Sequence, residues 1–349
     1  MAHNVVPNTA AGDTSSPGRL YGLDTDRLPK SVVGDIFRKA EEQSLLMGLG
    51  RRVPVSINET VIRLSDTFPE AGQVGGGTTL EDREGAEKPV SGYKFGGTKA
   101  FSPIKLAVIV TVSEEFARQN VDGLYSELST QLPRAIARAA DLAVFHNVDA
   151  LRGTPLVGTE NNGSIVNGVT RNSVTVQPHT QALDLSAGND VVADLLAGID
   201  QVTADEVYDI TNWAAAPSMR PALVTRRDQA GNPVFVPGAF PGSGAEININ
   251  ANIGSLLGVP VSFGKAVSGR VGNYAGTDVK LVAGDFSQLA WGYADEIRFK
   301  VSDSATLMGE DGPISLWQTN QIAVLCEATF GWYVNDPQAF VTYTVESGS

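Results

Sequence analysis

The chain has 349 residues, of which 42% are hydrophobic and 19% are charged, and its formal net charge at pH 7 is −13. This length and apolar content suffice for one large or two modest folded domains and exclude an intrinsically disordered chain. The acidic balance argues against a DNA-binding module, because phosphate binding depends on clustered Lys and Arg side chains. We interpret the acidity as a source of solubility.

The sequence argues against a membrane protein and against a secreted one. The longest apolar stretch, "LAVIVTV" at 106–112, is far shorter than the run of about 20 residues that a membrane helix needs. The N-terminal residues lack the basic and apolar regions of a secretory signal, and one cysteine cannot form an internal disulfide. We therefore expect no membrane span and synthesis in a reducing cytoplasm, which makes a secreted adhesin an unfavoured alternative.

The N-terminal third predicts an arm followed by a hairpin. Residues 1–52 are polar and rich in turn formers, with an amphipathic segment at 29–50 that predicts a short helix. Apolar residues then alternate over 53–61 and again over 104–112, which predicts two strands. The stretch between them, notably 69–102, is charged and Gly-rich. Two strands around such a stretch predict a long projecting hairpin.

The remaining elements mix helices with strands. Leucines that recur every four residues predict a long amphipathic helix over about 113–150, with a bend or break at Pro133. Residues 153–188 read as loops or short hairpins, and 190–203 as a helix. Strands are predicted at 221–225, 234–236, 258–263, 279–284 and 296–302, and the stretch "SLWQTNQIAVLCEATFGW" at 315–332 reads as one long strand.

The motifs of common enzymes are missing. The stretch "GVPVSFGKA" at 258–266 imitates a phosphate loop but ends in alanine, where a magnesium-binding Ser or Thr is needed. His3, His146 and His179 lie far apart, so we predict no metal site, and we interpret His146 as a helix-end or packing residue. No cofactor site and no catalytic triad can be nominated. A soluble enzyme of unrecognised type remains an alternative.

Several stretches become informative when they are taken together. "PALVTRRDQAGNPVFVPG" is followed by "GSLLGVPVSFGKAV", and "ISLWQTNQIAVLCEATFGWYVNDPQAFVTY" ends in a Pro-x-Ala-Phe pattern at 337–340. From about residue 28 onward, these stretches and the order of the elements resemble the major capsid proteins of tailed bacteriophages, which have the Hong Kong 97-type fold. An encapsulin-type bacterial nanocompartment shell protein, which shares that fold, is the alternative.

The resemblance implies an α+β fold with a definite division of the chain. It implies an N-terminal arm at 1–52, an extended hairpin loop at 53–110, and a peripheral domain with a long spine helix at 111–189. An axial domain at 190–297 follows, and residues 298–349 are expected to return to the peripheral domain as strands and to end the chain.

The resemblance also implies a structural function. We expect pentamers and hexamers that assemble in the bacterial host cytoplasm into an icosahedral head shell, the virion capsid, which encloses double-stranded DNA without sequence-specific binding. The archetype carries a scaffolding segment ahead of its arm, and this sequence has no room for one. We therefore expect a separate scaffolding protein or none, together with a portal and a maturation protease. Whether a decoration protein binds stays open.

A candidate site comes from the same resemblance. In the archetype, a lysine on the extended hairpin forms an isopeptide bond with an asparagine of a neighbouring subunit, assisted by a glutamate. "EKPVSGYKF" resembles the lysine-bearing segment and contains Lys88, while Asn320 and Glu327 have the family's spacing. The resemblance thus implies a cross-link between Lys88 and Asn320, with Glu327 as the base.

Two expectations about this site come from the residues themselves. Residues seven apart in a regular strand point to opposite faces, so Asn320 and Glu327 of one chain should serve different bonds, and each site should need three subunits. The alternative is that the shell does not cross-link. Lys88 would then be a solvated hairpin charge and Asn320 a polar residue at a strand end.

Overall fold

The structure is a computed structural model, which describes residues 44–57, 60–65, 71, 74, 95–115, 121–171, 173–186, 189–227, 231–237, 253–309 and 312–345. The predicted arm up to residue 43, most of the amphipathic segment at 29–50, and Lys88 lie outside the described residues.

The described chain contains both helices and strands. The helices are α1 (Leu45–Leu49), α2 (Val121–His146), α3 (Val191–Thr203), α4 (Arg220–Thr225) and α5 (Leu316–Thr319). The strands are β1 (Arg51–Arg52), β2 (Thr60–Ser65), β3 (Phe95–Phe101), β4 (Ile104–Ser113), β5 (Val169–Arg171), β6 (Val174–Val176), β7 (His179–Leu183), β8 (Asn212–Ala215), β9 (Phe235–Pro237), β10 (Ile253–Leu256), β11 (Val259–Phe263), β12 (Val279–Gly284), β13 (Leu289–Ser302), β14 (Thr306–Gly309), β15 (Gly312–Ser315), β16 (Gln321–Val334) and β17 (Phe340–Val345).

A four-stranded sheet carries α2 on one face. Its strand order is β1-β13-β16-β4, and β16 pairs antiparallel with both β13 and β4. Along β4 the side chains alternate between half-buried and exposed, as the predicted period of two requires. The helix contributes Leu128, Leu132 and Ile136 to a buried cluster with the inward residues of β16, which are Ile322, Val324, Cys326 and Ala328. The opposite face of this sheet is exposed at Lys105 and Ile109.

A seven-stranded sheet forms the second layer, in the order β7-β17-β12-β8-β11-β10-β9. Helix α3 begins at Asp190, whose side chain caps the N–H groups of Val192 and Ala193. Its buried residues pack with those of the sheet, and the buried Tyr343 hydroxyl donates a 2.8 Å hydrogen bond to the carbonyl of Leu195. Strand β17 therefore anchors the C-terminal residues of the described chain beneath this helix.

Residues 44–53, which we call the strap, fix the root of the predicted arm and hairpin. The carboxylate of Asp141 on α2 accepts hydrogen bonds from the hydroxyl of Ser44 and from the N–H groups of Leu45 and Leu46. At the other end, the Trp291 indole donates to the Gly50 carbonyl at 3.1 Å. Helix α1 ends at Leu49, and its Leu45, Leu46 and Met47 are buried in the core cluster that both sheets share.

Several predicted elements are confirmed. The predicted helix at 190–203 is α3, and the strands predicted at 104–112, 258–263 and 279–284 are β4, β11 and β12. His146 is indeed a buried helix-end residue, since it is the last residue of α2 and its Nε2 lies 2.9 Å from the Ala266 carbonyl oxygen. None of the helices in the described ranges is long and apolar enough to cross a lipid bilayer.

Other predicted elements are wrong. Residues 221–225 belong to helix α4, because Pro221 lies in its first turn, where a helix needs no N–H donor. Residues 53–57 form no strand, and pairing resumes only at β2. Helix α2 continues across Pro133, so the predicted break is wrong, while the predicted bend there stays a prediction. The stretch 315–332 is not one strand, because a helical turn, α5, precedes β16.

Each of the two large sheets also contains strands from more than one of the predicted domains. The boundary predicted between residues 297 and 298 lies inside strand β13. Strands β7 and β17, which were predicted as parts of the peripheral domain, lie in the same seven-stranded sheet as β12, because β17 pairs with β12 and β7 pairs with β17.

Candidate cross-linking site

Asn320 lies in the turn between α5 and β16. Its backbone is left-handed, with φ 52° and ψ 49°, and its N–H donates to the carbonyl of Leu316 as the helix C-cap. Its own carbonyl accepts a 3.0 Å hydrogen bond from the N–H of Glu114, and the residue is exposed. Asparagine tolerates this conformation better than most residues with a side chain. The turn therefore gives Asn320 a backbone role and leaves it accessible from outside the subunit.

Glu327 lies in the middle of β16, between β13 and β4. Its register partners are Arg298 on β13 and Ala107 on β4. The side chain is 14% exposed, and its two carboxylate oxygens lie 3.7 Å from the ammonium groups of Lys105 and Lys300. These separations exceed a hydrogen bond, so the contacts are electrostatic. One lysine from each neighbouring strand thus forms an ion pair with Glu327.

The structure does not bring Asn320 and Glu327 together. The seven residues from Gln321 to Glu327 lie in a regular strand, and their six steps of about 3.3 Å span roughly 20 Å. The expectation that the two residues of one chain serve different bonds therefore rests on distance, because Asn320 precedes the strand and has no strand face. Lys88, the third residue of the predicted site, lies outside the described residues.

Lys105 and Lys300 were missed by the sequence reasoning. Both are 64% exposed in their side chains. The alternation of β4 was a sufficient signal for Lys105, since it places this lysine on the outer face between apolar inward residues. Only the pairing of β13 and β16 brings Lys300 to the same carboxylate.

Cys326 is not a nucleophile of this site. The residue is fully buried against α2. Burial, and secondarily the charge of Glu327, raises the pKa of the Cys326 thiol to about 12. The thiol is therefore neutral near pH 7, and a neutral thiol is a poor nucleophile. Within the described ranges, the His, Cys, Asp and Glu side chains form no cluster that could hold a metal ion.

Comparisons with known proteins agree on one family. A model of the phage capsid family matches residues 26–345. A curated protein of Mycobacterium phage L5, named "Probable major capsid protein gp17", is 27% identical over 317 residues, which cover 89% of this chain and 86% of the L5 protein.

Solved structures extend this likeness to the fold. A chain from Gordonia phage Cozz is 27% identical, with a TM-score of 0.67, and the match covers 99% of this chain and 100% of that one. A chain from the capsid of an empty GTA particle, computed with C5 symmetry, is 12% identical with a TM-score of 0.54 and covers 87% and 90% of the two chains. This last likeness concerns the fold alone. Because the family model spans nearly the whole sequence, the chain belongs to the phage capsid family.

Proposed function

We propose that the protein is the major capsid protein of a phage and that it assembles as pentamers and hexamers into an icosahedral shell around double-stranded DNA. The observation that carries this proposal is the family match over residues 26–345, together with the likeness to a named major capsid protein over 89% of the chain. The protein acts as a building block and has no turnover reaction. A portal and a maturation protease are its expected partners.

The position of the strap supports the proposal of a shell subunit that is divided, as in the Hong Kong 97-type fold, into arm, hairpin, peripheral and axial parts. It fixes the chain at Asp141 and Trp291 between two segments, 1–43 and 66–94, whose sequences are polar. Polar segments bury too little apolar surface to fold alone. We propose that they contact neighbouring subunits, which would make their order depend on assembly.

Electron microscopy tests the assembly. The protein is produced alone and together with the neighbouring genes of its source phage, and the products are separated by size-exclusion chromatography. Closed particles with fivefold and sixfold capsomers in negative stain are the expected result. A protein that stays monomeric in both preparations would contradict the proposal.

We further propose that mature shells cross-link through Lys88 and Asn320. The Lys88 amine must lose a proton, because the ammonium form, with an ordinary pKa near 10.4, has no free electron pair. Its nitrogen then attacks the side-chain carbonyl carbon of Asn320, and the carbon–nitrogen bond of the carboxamide breaks to release ammonia. The first proton of the ammonium group passes to solvent. As the new bond forms, Glu327 accepts a second proton from the attacking nitrogen and delivers it to the departing –NH2 group, which leaves as ammonia. The exposure of Asn320 and the partial exposure of the Glu327 side chain support this arrangement.

A denaturing gel tests the cross-link. Mature particles are boiled in detergent, and ladders of linked subunits are expected from the wild type. Lys88→Arg removes the nucleophile, Asn320→Asp removes the leaving group, and Glu327→Gln removes the proton acceptor, so each should give monomer bands from assembled shells. Because roughly 20 Å of strand separates Asn320 from Glu327, shells that mix N320D and E327Q subunits should regain part of the ladder. A monomer band from mature wild-type particles would contradict cross-linking but leave the shell function standing.

A further inference from the structure

Two glycines are paired across the centre of the four-stranded sheet. Gly292 on β13 and Gly331 on β16 are register partners, and both are buried. Strand β4 begins at Ile104, opposite Phe330, so the glycine pair lies one residue beyond the pairing of β4 with β16. Glycine weakens a strand interior, because it brings no side chain to the packing and loses more chain entropy on folding than other residues do. A glycine in a strand often marks a place where another stretch of backbone approaches closely.

The space around the pair requires glycine, whereas the backbone conformation does not. Neither residue has a positive φ, so other residues could adopt the same backbone. A Cβ at Gly292 would overlap the carbonyl oxygen of Val53 and lie 2.8 Å from Cγ2 of Val55. A Cβ at Gly331 would lie 2.8 Å from Cγ1 of Val55 and 3.1 Å from Cε2 of Phe101. We call Gly292 and Gly331 the glycine socket, which the side chains of Val55 and Phe101 fill.

The residues that fill the glycine socket come from the two ends of one hairpin. Residues 53–55, the first limb, precede β2, and residues 101–102, the second limb, begin with the last residue of β3. Strands β2 and β3 pair antiparallel between the two limbs. The chain that enters the hairpin and the chain that leaves it therefore meet over the same pair of glycines.

Hydrogen bonds hold each limb in place. In the first limb, the N–H of Val53 donates to the carbonyl of Trp291 at 2.8 Å. In the second limb, the N–H of Ser102 donates to Oδ1 of Asn162 at 2.9 Å, and Nδ2 of Asn162 donates back to the Ser102 carbonyl at 2.7 Å. Asn162 is fully buried, so water cannot replace these bonds. The main chain is thus fixed at both ends of the hairpin.

A row of packed side chains supports the second limb. The Phe101 ring is fully buried, and its centroid lies 5.7 Å from that of Tyr333. The guanidinium carbon of Arg171 lies 4.6 Å from the centroid of the Tyr333 ring. Arg171 also donates hydrogen bonds to the carbonyls of Val334 and Asn161. A shift of Phe101 would therefore disturb contacts that reach well beyond the glycine socket.

We propose that the glycine socket sets the direction in which the β2–β3 hairpin leaves the subunit, before any neighbour binds. This inference rests on the proposed shell function, and it adds the part of the subunit that aims the hairpin. Strand β2 has six residues and is about 20 Å long, so a rotation of about 10° at its root would move its far end by about 3–4 Å. A hairpin that is already aimed loses less conformational freedom when it contacts a neighbour.

Hydrogen exchange of unassembled full-length subunits tests the glycine socket directly. Gly331→Ala should overpack it and accelerate exchange at least fivefold in the peptides that contain Val53 and Ser102, with no change in helix α3. Val55→Ala removes the methyl groups that the new Cβ would meet, so Gly331→Ala/Val55→Ala should exchange within about twofold of the wild type. Val55→Ala should not rescue Gly292→Ala, because the new Cβ there overlaps a backbone oxygen.

Controls separate a local effect from a general loss of stability. Gly284→Ala is the matched control, since its Cβ would overlap the carbonyl oxygen of Ala339 in the seven-stranded sheet, and it should not single out the two limbs. Circular dichroism checks folding. If Gly331→Ala does not fold, Asn162→Ala carries the test, because it frees the second limb without adding bulk and should accelerate exchange at least fivefold around Ser102.

Unchanged exchange at the limbs would overturn the inference, as would a Gly331→Ala defect that Val55→Ala does not relieve or an equal acceleration at the limbs in Gly284→Ala. Assembly then tests the aiming itself, with the subunit concentration for half-maximal assembly measured by light scattering. This concentration should rise at least fivefold for Gly331→Ala and return to within about twofold of the wild type in Gly331→Ala/Val55→Ala. Loosened limbs with unchanged assembly would overturn the aiming role. Failure of the wild-type protein to form shells would contradict the proposed function instead.

Discussion

The carboxylate of Asp141 accepts a 3.0 Å hydrogen bond from the main-chain N–H of Leu45, which joins α2 to the strap. The same carboxylate also accepts hydrogen bonds from the Leu46 N–H and the Ser44 hydroxyl. The first N–H groups of a helix have no partner within the helix. Asp141 therefore supplies the acceptor that α1 needs inside the core, where water cannot do so.

We expect Asp141→Ala to destabilise the protein. The substitution leaves buried donors at Ser44, Leu45 and Leu46 without their acceptor, and a loss of about 1–3 kcal/mol in the free energy of unfolding follows. Urea unfolding of the purified protein measures it. Asp205→Ala, at an exposed position, is the matched control and should change the stability by less than about 0.5 kcal/mol. Equal stabilities of the two variants would contradict the capping role.

The ionisation of the same carboxylate should make the free energy of unfolding depend on pH. Burial raises the pKa of Asp141 to about 6 from an ordinary value of 3.8. Above pH 6 the group is ionised in both states, and the folded state bears the cost of the buried charge. Between pH 6 and pH 4 the folded protein binds a proton that the unfolded chain does not, so its free energy of unfolding rises as the pH falls.

Comparison with Asp141→Asn isolates this effect, because the amide does not titrate. From pH 7 to pH 4, the wild type should gain up to ~3 kcal/mol relative to this variant, since one pKa unit corresponds to about 1.4 kcal/mol. Urea unfolding of both proteins at several pH values measures the difference. A difference that stays constant across this range would contradict a raised pKa.

Substitutions at Asn320 should separate its backbone role from its chemistry. Asn320→Gly keeps the left-handed turn, with its φ of 52°, and should assemble normally but yield no cross-linked ladder. Asn320→Val also removes the carboxamide and adds strain of about 1–2 kcal/mol in the same turn. In thermal unfolding, the Asn320→Val variant should therefore melt at a lower temperature than the Asn320→Gly variant. If the glycine variant keeps the ladder, Asn320 is not the cross-linked residue.

Two glycines should respond in opposite ways to alanine. A Cβ at Gly198 on α3 would lie 2.3 Å from the hydroxyl oxygen of the buried Tyr343, whereas a Cβ at Gly48 on α1 meets nothing within 4 Å. Gly198→Ala should cost about 1–3 kcal/mol through overpacking. Gly48→Ala should stabilise by about 0.5–1 kcal/mol through lower chain entropy in the unfolded state. Unfolding curves that rank the two variants the other way round would contradict this packing.

Much of the local structure could be predicted from the sequence by itself. Strand β4 and helix α3 were predictable because their periodicity is strong and their ends carry clear signals, such as the Asp190 cap. The site residues Asn320 and Glu327 could be named only through resemblance to a family, since nothing in their spacing as such indicates cross-linking. For short, proline-containing stretches such as 221–225, an apolar run fits a strand and a helical turn equally well.

Only the tertiary structure decided which distant residues meet. Lys105 and Lys300 are far apart along the chain, and the pairing of β4 and β13 with β16 brings both to Glu327. In the sequence, Asp141 is indistinguishable from the other polar residues of an amphipathic helix. Only the packing of the N-terminus of α1 against α2 shows that its carboxylate is a hydrogen-bond acceptor in the core. The physical reason is that periodicity records which face of an element is buried, whereas the partner on that face depends on chain topology and on which polar groups lose their contact with water.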